Sequence, residues 1–176
     1  MRRRSATLLV GALGLLAAGC LPPSPPPLEN GRLPDSLLTT VTPQCRVVNE
    51  IAAQLTALLQ AANQQGVALA PEHTSFLPPG VSGPPRVESC YRSYEMQVWW
   101  RNYYCFIGGC QYAAVPGTSV HGWGRAVDFE DQGRELSFGA PGYGWLTANA
   151  ARYGFVQPAW ARQGSSNAEP WHWEVP

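Results

Sequence analysis

Apolar positions recur at helical spacing along the first long segment. Val47, Val48, Ile51, Leu55, Leu58, Leu59 and Ala62 fall on one face, and Gly66 ends the pattern. With Pro43 at the first position and Thr42 as cap, this predicts a helix over 44–64 with a buried apolar stripe. Residues 70–85 read as a Pro/Gly loop carrying His73, which has no partner at ligand spacing. Arg86 to Tyr91 alternate and predict a strand. Ser93 can cap a second helix over 94–104, packed through Met96, Val98, Trp99 and Trp100. Short strands are predicted at 126–129, 155–156 and 171–175, with a third helix over 142–153 that Gly154 ends. Helices and strands mix without βαβ repetition. The expectation is an α+β domain with a small, mostly antiparallel sheet and flanking helices.

The front of the chain reads differently. Arg2, Arg3 and Arg4 precede an apolar stretch from Leu8 to Ala18, too short for a comfortable membrane span. Residues 1–19 are therefore expected to be a signal peptide. Ala17-Ala18-Gly19-Cys20 resembles a bacterial lipobox, which makes Cys20 the expected lipidation site. The usual Leu three places before the cysteine is Ala17 here, so cleavage and release is the alternative. Residues 20–40 are Pro-rich and predict a semi-extended tether, leaving 41–176 as the folded domain. The chain is expected to be exported and anchored, touching membrane only through that lipid.

Composition sharpens this picture. Hydrophobic residues are 45 % of 176, enough for a core, and charged residues only 14 %. All 12 cations are Arg, and formal net charge is zero, which argues against nucleic-acid binding by phosphate attraction. Removing residues 1–19 leaves nine Arg against 12 acidic residues. An exported chain meets oxidising conditions, and four cysteines remain besides Cys20. The expected bridges are Cys105–Cys110, across a short flexible loop, and Cys45–Cys90. A zinc knuckle is the alternative for Cys105 and Cys110.

The chemistry concentrates in two segments, Ser119-Val-His-Gly-Trp-Gly-Arg-Ala-Val-Asp128 and Glu169-Pro-Trp-His-Trp-Glu174. His121, Asp128 and His172 form a nitrogen, oxygen, nitrogen set, the ligand pattern of a catalytic zinc with one position left open. In a strand, residues two apart share a face, so His172 and Glu174 point together while Trp171, Trp173 and Val175 point away. Asp128 likewise points away from Val127 and Phe129. Gly122 and Gly124 allow the chain between the ligands to bend. Glu130 and Asp131 read as a solvated acidic turn. Trp123 suits either a groove or packing.

These motifs, together with Cys90-Tyr-Arg-Ser-Tyr-Glu-Met-Gln97, resemble the zinc D,D-peptidases of the VanY-type D-alanyl-D-alanine carboxypeptidase family. That family belongs to the LAS metallopeptidase superfamily, whose zinc scaffold is shared with the Hedgehog signalling domain. The matches span about 86–176. The resemblance implies one zinc ion held by His121, Asp128 and His172, with zinc-bound water as nucleophile and Glu174 as general base. It implies that Arg92 stabilises the oxyanion or positions substrate, and that Ser119 and Gln97 contact substrate. Glu169 is expected to orient a zinc ligand. The implied partner is a peptidoglycan stem peptide, from which terminal D-Ala is removed. A wall endopeptidase of the same family and a non-catalytic zinc-binding module are the alternatives.

Overall fold

In the computed structural model, residues 27–72 and 88–176 are described. The expected signal peptide, Cys20, the start of the tether, His73 and the first residues of the 86–91 strand lie outside them.

The first element is a hairpin where a helix start was expected. Strand β1 (Leu38–Thr42) pairs antiparallel with β2 (Cys45–Val48) around a turn at Pro43 and Gln44. Cys45 and Val47 are buried while Arg46 and Val48 are partly exposed, a period of two. The β-branched pair Val47-Val48 suits extended backbone. Helix α1 therefore begins at Asn49 and runs to Gln64. Its stripe is as expected: Ile51, Leu55, Leu58 and Ala62 are buried, and each large side chain contributes about 1.5–3 kcal/mol.

The tether also ends earlier than expected. Asn30 and Leu33 are buried, and Leu33 N donates to the Tyr91 hydroxyl at 3.1 Å. Gly31 N donates to Gly122 O at 2.8 Å, and Tyr94 N to Gly31 O at 2.9 Å. Residues 29–40 thus belong to the fold, and isolated prolines do not prevent that.

Strand β3 (Leu69–Pro71) occupies the start of the expected 70–85 loop. It pairs antiparallel with β4 (Ala126–Asp131), the central strand. The end of β4 also pairs with β5 (Arg134–Glu135), and its beginning with β6 (His172–Glu174). Among the described residues all strand pairings are antiparallel, and the α+β architecture is as the sequence predicts. Val156 makes a single bridge to Glu174 rather than a strand. Residues 88–91 are irregular rather than extended. Their backbone is split between neighbours, with Asp128 N donating to Ser89 O at 2.8 Å and Tyr91 N to Arg46 O at 2.7 Å.

Helix α2 (Tyr94–Phe106) is capped by Ser93, whose hydroxyl accepts from Met96 N. Only Met96 and Gln97 are buried on it, so Val98, Trp99 and Trp100 are not the core residues expected. Helix α3 (Pro141–Asn149) continues as a tighter turn to Tyr153, and Gly154 closes it at φ +81°.

Both disulfides form. Cys45–Cys90 ties β2, not a helix, to the segment leading into α2, and Cys105–Cys110 closes the loop after α2. By loop length alone the first, spanning 45 residues, contributes about 4 kcal/mol. Val127, Phe129 and Trp173 join the α1 stripe in one core beneath the sheet. Among the described residues, no helix is long and apolar enough to cross a membrane.

Candidate metal centre and active site

Register brings two of the expected ligands face to face. Asp128 on β4 lies directly opposite His172 on β6, and Ala126 opposite Glu174. Val127, Phe129 and Trp173 turn into the core, as the two-residue period requires, so Asp128 and His172 turn the other way. His172 Nδ1 lies 3.0 Å from Asp128 Oδ1.

The third ligand arrives from a tight turn, Val120–Trp123. Gly124 ends it at φ +65°, a conformation that costs glycine little. Gly122 is needed for a different reason from the expected bending. A Cβ there would fall 1.9 Å from Asn30 Oδ1. The turn places His121 Nε2 3.2 Å from both Asp128 Oδ1 and His172 Nδ1. All three residues are buried.

The outer atoms of this cluster are occupied. His121 Nδ1 donates to the Cys90 carbonyl at 2.7 Å. His172 Nε2 donates to Glu174 Oε1 at 2.9 Å. Arg92 Nη2 donates to Asp128 Oδ2 at 2.9 Å. Three atoms are left facing one point: His121 Nε2, Asp128 Oδ1 and His172 Nδ1. Ring nitrogens held in this way by an acceptor on the far side are typical of metal-ligating histidines.

Electrostatics follow the same geometry. Burial would raise Asp128, but two imidazoles and Arg92 hold its carboxyl well below the usual range. Burial, then Arg92, push His121 down to about 4. Burial also opposes charge on His172, yet Asp128 and Glu174 lift it to about 9, because its ring sits between two carboxylates. Glu169 is raised to about 7 by burial and by Asp128.

The cluster forms part of the lining of a cleft of about 400 Å³. Ser119 lines it. Gln97 lines it too, but its amide is engaged within the protein. Nε2 donates to Asn30 Oδ1 (3.0 Å) and Arg92 O (3.2 Å), and Oε1 accepts from Gly117 N (2.8 Å). It supports Arg92 and the 117–122 loop more than it presents itself to substrate. Glu174 lines the cleft as well, with Oε1 engaged by His172. Its carboxylate holds the Nε2 side of His172, while His172 Nδ1 faces the other ligands.

Several contributors were not legible in sequence. Asn30 bridges Gln97 and Ser119 O, the latter at 2.7 Å. Trp160 packs its ring 4.9 Å from that of His172. Tyr104 lines the cleft from α2. No local pattern marks Asn30 or Trp160, because their partners at the site lie at least 12 residues away in sequence. Trp123 is 40 % exposed and outside the cleft. Glu130 and Asp131 are buried rather than solvated, and Asp131 Oδ2 caps α3 by accepting from Gly142 N at 2.8 Å.

The family profile described as VanY, D-alanyl-D-alanine carboxypeptidase, matches residues 84–175. The chain belongs to the VanY family of D-alanyl-D-alanine carboxypeptidases. A D-alanyl-D-alanine carboxypeptidase of Enterococcus faecalis (strain ATCC 700802 / V583) is 40 % identical to this VanY-family chain over 65 residues. That alignment covers 35 % of this chain and 24 % of the relative, so the match spans about a quarter of the relative's length. The VanY D,D-pentapeptidase of a VanB-type vancomycin-resistance cassette, solved as a mutant with Zn(II), shares the fold at 29 % identity and TM-score 0.57. The alignment covers 78 % of this chain and 77 % of that one. VanYB in complex with D-alanine-D-alanine matches at 28 % identity and TM-score 0.56, over 78 % and 76 % of the two chains.

Proposed function

We propose that this VanY-family protein is a zinc D,D-carboxypeptidase that removes terminal D-Ala from peptidoglycan stem peptides. The observation that carries the reading is the convergence of His121 Nε2, Asp128 Oδ1 and His172 Nδ1 within 3.2 Å of one another in an open cleft. The donor set fits zinc: two imidazole nitrogens, one carboxylate oxygen and a free side towards the cleft. When bound, zinc supplies Lewis-acid chemistry, acidifying water and polarising a carbonyl.

The chain's own residues then divide the work. Glu169 is the general base in this reading, in place of Glu174. It lines the cleft, and its raised pKa of about 7 suits proton exchange near neutrality. It takes a proton from the attacking water, and as the C–N bond breaks it returns that proton to the amine of the departing D-Ala. Arg92 holds Asp128 in place, and the positive charge of its guanidinium favours an oxygen that becomes negative. Glu174 holds the His172 ring so that Nδ1 stays available. Ser119 lies on the substrate side.

Export and a lipid at Cys20 would place this activity beside the wall. Labelling of cells with a fatty acid tests the anchor, and an unlabelled N-terminus rejects it. The function is tested with zinc-loaded protein and defined muropeptides, with products read by mass. Free D-Ala from a stem pentapeptide is expected. Cleavage only within cross-links would establish an endopeptidase instead, and zinc binding without any cleavage would establish a binding module.

A further inference from the structure

One wall of the cleft is aromatic and includes Tyr104, whose phenol feels the charges of Glu169, Arg92 and Asp128. Tyr104 on α2 stacks on Trp100, with ring centroids 5.9 Å apart and planes inclined by 26°. Tyr103 packs against its edge at 5.2 Å, and Tyr112 lies at 6.1 Å. The loop closed by Cys105–Cys110 brings Tyr112 there. Gly109 N donates to Tyr104 O at 2.7 Å, and Tyr112 N to Gly109 O at 2.9 Å. Arg101 braces the same loop by donating to the carbonyls of Cys110 and Ala113. With rings against it and its carbonyl tied to the loop, the Tyr104 side chain is held in one orientation.

Its hydroxyl has no protein hydrogen-bond partner among the described residues, and Tyr104 lines the same cleft as the ligand cluster. Burial and then Glu169 push it up to about 12, with Arg92 and Asp128 also close enough to act on it. The phenol therefore keeps its proton throughout the working range and remains a donor. Donors are scarce at this end of the cleft. Glu169, Glu174 and Asp128 are acceptors when ionised, and Arg92 has Nη2 engaged by Asp128 Oδ2, its buried Nε being the other donor without a protein partner.

We propose that Tyr104 is a catalytic residue whose hydroxyl donates a hydrogen bond to the scissile carbonyl oxygen as that oxygen gains negative charge. This rests on the D,D-peptidase reading above. The disulfide-closed loop then has a role at the site, because it keeps the donor aimed. A donor placed before the charge develops stabilises the transition state more than the ground state.

Tyr104→Phe tests this in the zinc-loaded protein, since the ring and its stacking are kept. The expected result is a fall in kcat of about 10²-fold with KM changed by less than about twofold. Zinc content should match the wild type. Tyr153→Phe, on a residue that stacks on Trp145 outside the cleft lining, should leave kcat unchanged. A tetrahedral phosphinate analogue of D-Ala-D-Ala should bind Tyr104→Phe more weakly by a similar factor. Unchanged kcat, or a loss confined to KM, overturns the proposal. If the wild type binds the phosphinate yet releases no D-Ala, the carboxypeptidase reading fails. The phosphinate comparison still decides the hydrogen bond in that case, and equal affinities overturn it.

Discussion

His172 Nε2 donates to Glu174 Oε1 at 2.9 Å, on the ring nitrogen that does not face His121 and Asp128. Two carboxylates thus bracket one imidazole, Asp128 on Nδ1 and Glu174 on Nε2. In the proposed mechanism Glu174 holds the ligand, and Glu169, raised to about 7 in the cleft, exchanges the proton.

The two glutamates are separable by experiment. Glu169→Gln should lower kcat by about 10²–10⁴-fold while zinc stays bound. Glu174→Ala should weaken zinc by about 10–100-fold and regain most turnover at saturating metal. Turnover and metal content measured on both variants check this. Full activity in Glu169→Gln would return the base role to Glu174.

Zinc binding should compete with a proton on His172. Its pKa of about 9 in the metal-free protein exceeds the ordinary histidine value, so the ring is charged at neutral pH. The metal needs the Nδ1 lone pair and must displace that proton. Affinity should rise about tenfold per pH unit from pH 6 to 8 and level off above about 9. Chelator competition across that range gives the slope, and a flat profile contradicts the bracketed imidazole.

Asn30→Ala should be costly although the residue lies outside the family match at 84–175. It removes the partners of Gln97 Nε2 and Ser119 O in a buried setting. A loss of about 1–3 kcal/mol in unfolding free energy is expected. Urea unfolding measures it, with kcat falling because Arg92 and the His121 turn lose their support.

Asp131→Ala should cost about 0.5–2 kcal/mol, the value of a helix cap, with kcat preserved. Its Oδ2 is the acceptor for Gly142 N at the start of α3. Asp131→Asn keeps an acceptor and should cost less. Urea midpoints of the two variants distinguish them, and equal losses would point to charge rather than capping.

Much of the site could be read from local pattern. A strand alternates faces every two residues, so placing Val127, Phe129 and Trp173 in the core commits Asp128 and His172 to the opposite side. The α1 stripe was legible because burial at helical spacing leaves a clear apolar period. The hairpin was not. Pro43 followed by apolar residues suits a helix start equally well, and Cys45 and Val47 settle as strand residues only through β1, Cys90 and the neighbouring backbone.

The sequence by itself determined which residue types were available for the chemistry and which face each strand residue would use. Those follow from backbone geometry within a few residues. The tertiary structure decided which atoms meet. The register of β4 on β6 sets Asp128 against His172, and the fold about Cys90 supplies the acceptor for His121. The same fold brings Glu169 and Glu174 together into the lining of the cleft. It also folds residues 29–40 beneath the His121 turn. The contacts of Asp128 with His172, of Cys90 with His121 and of Asn30 with Ser119 join positions 31 to 89 residues apart, and only packing and pairing of the whole chain bring them within hydrogen-bond distance.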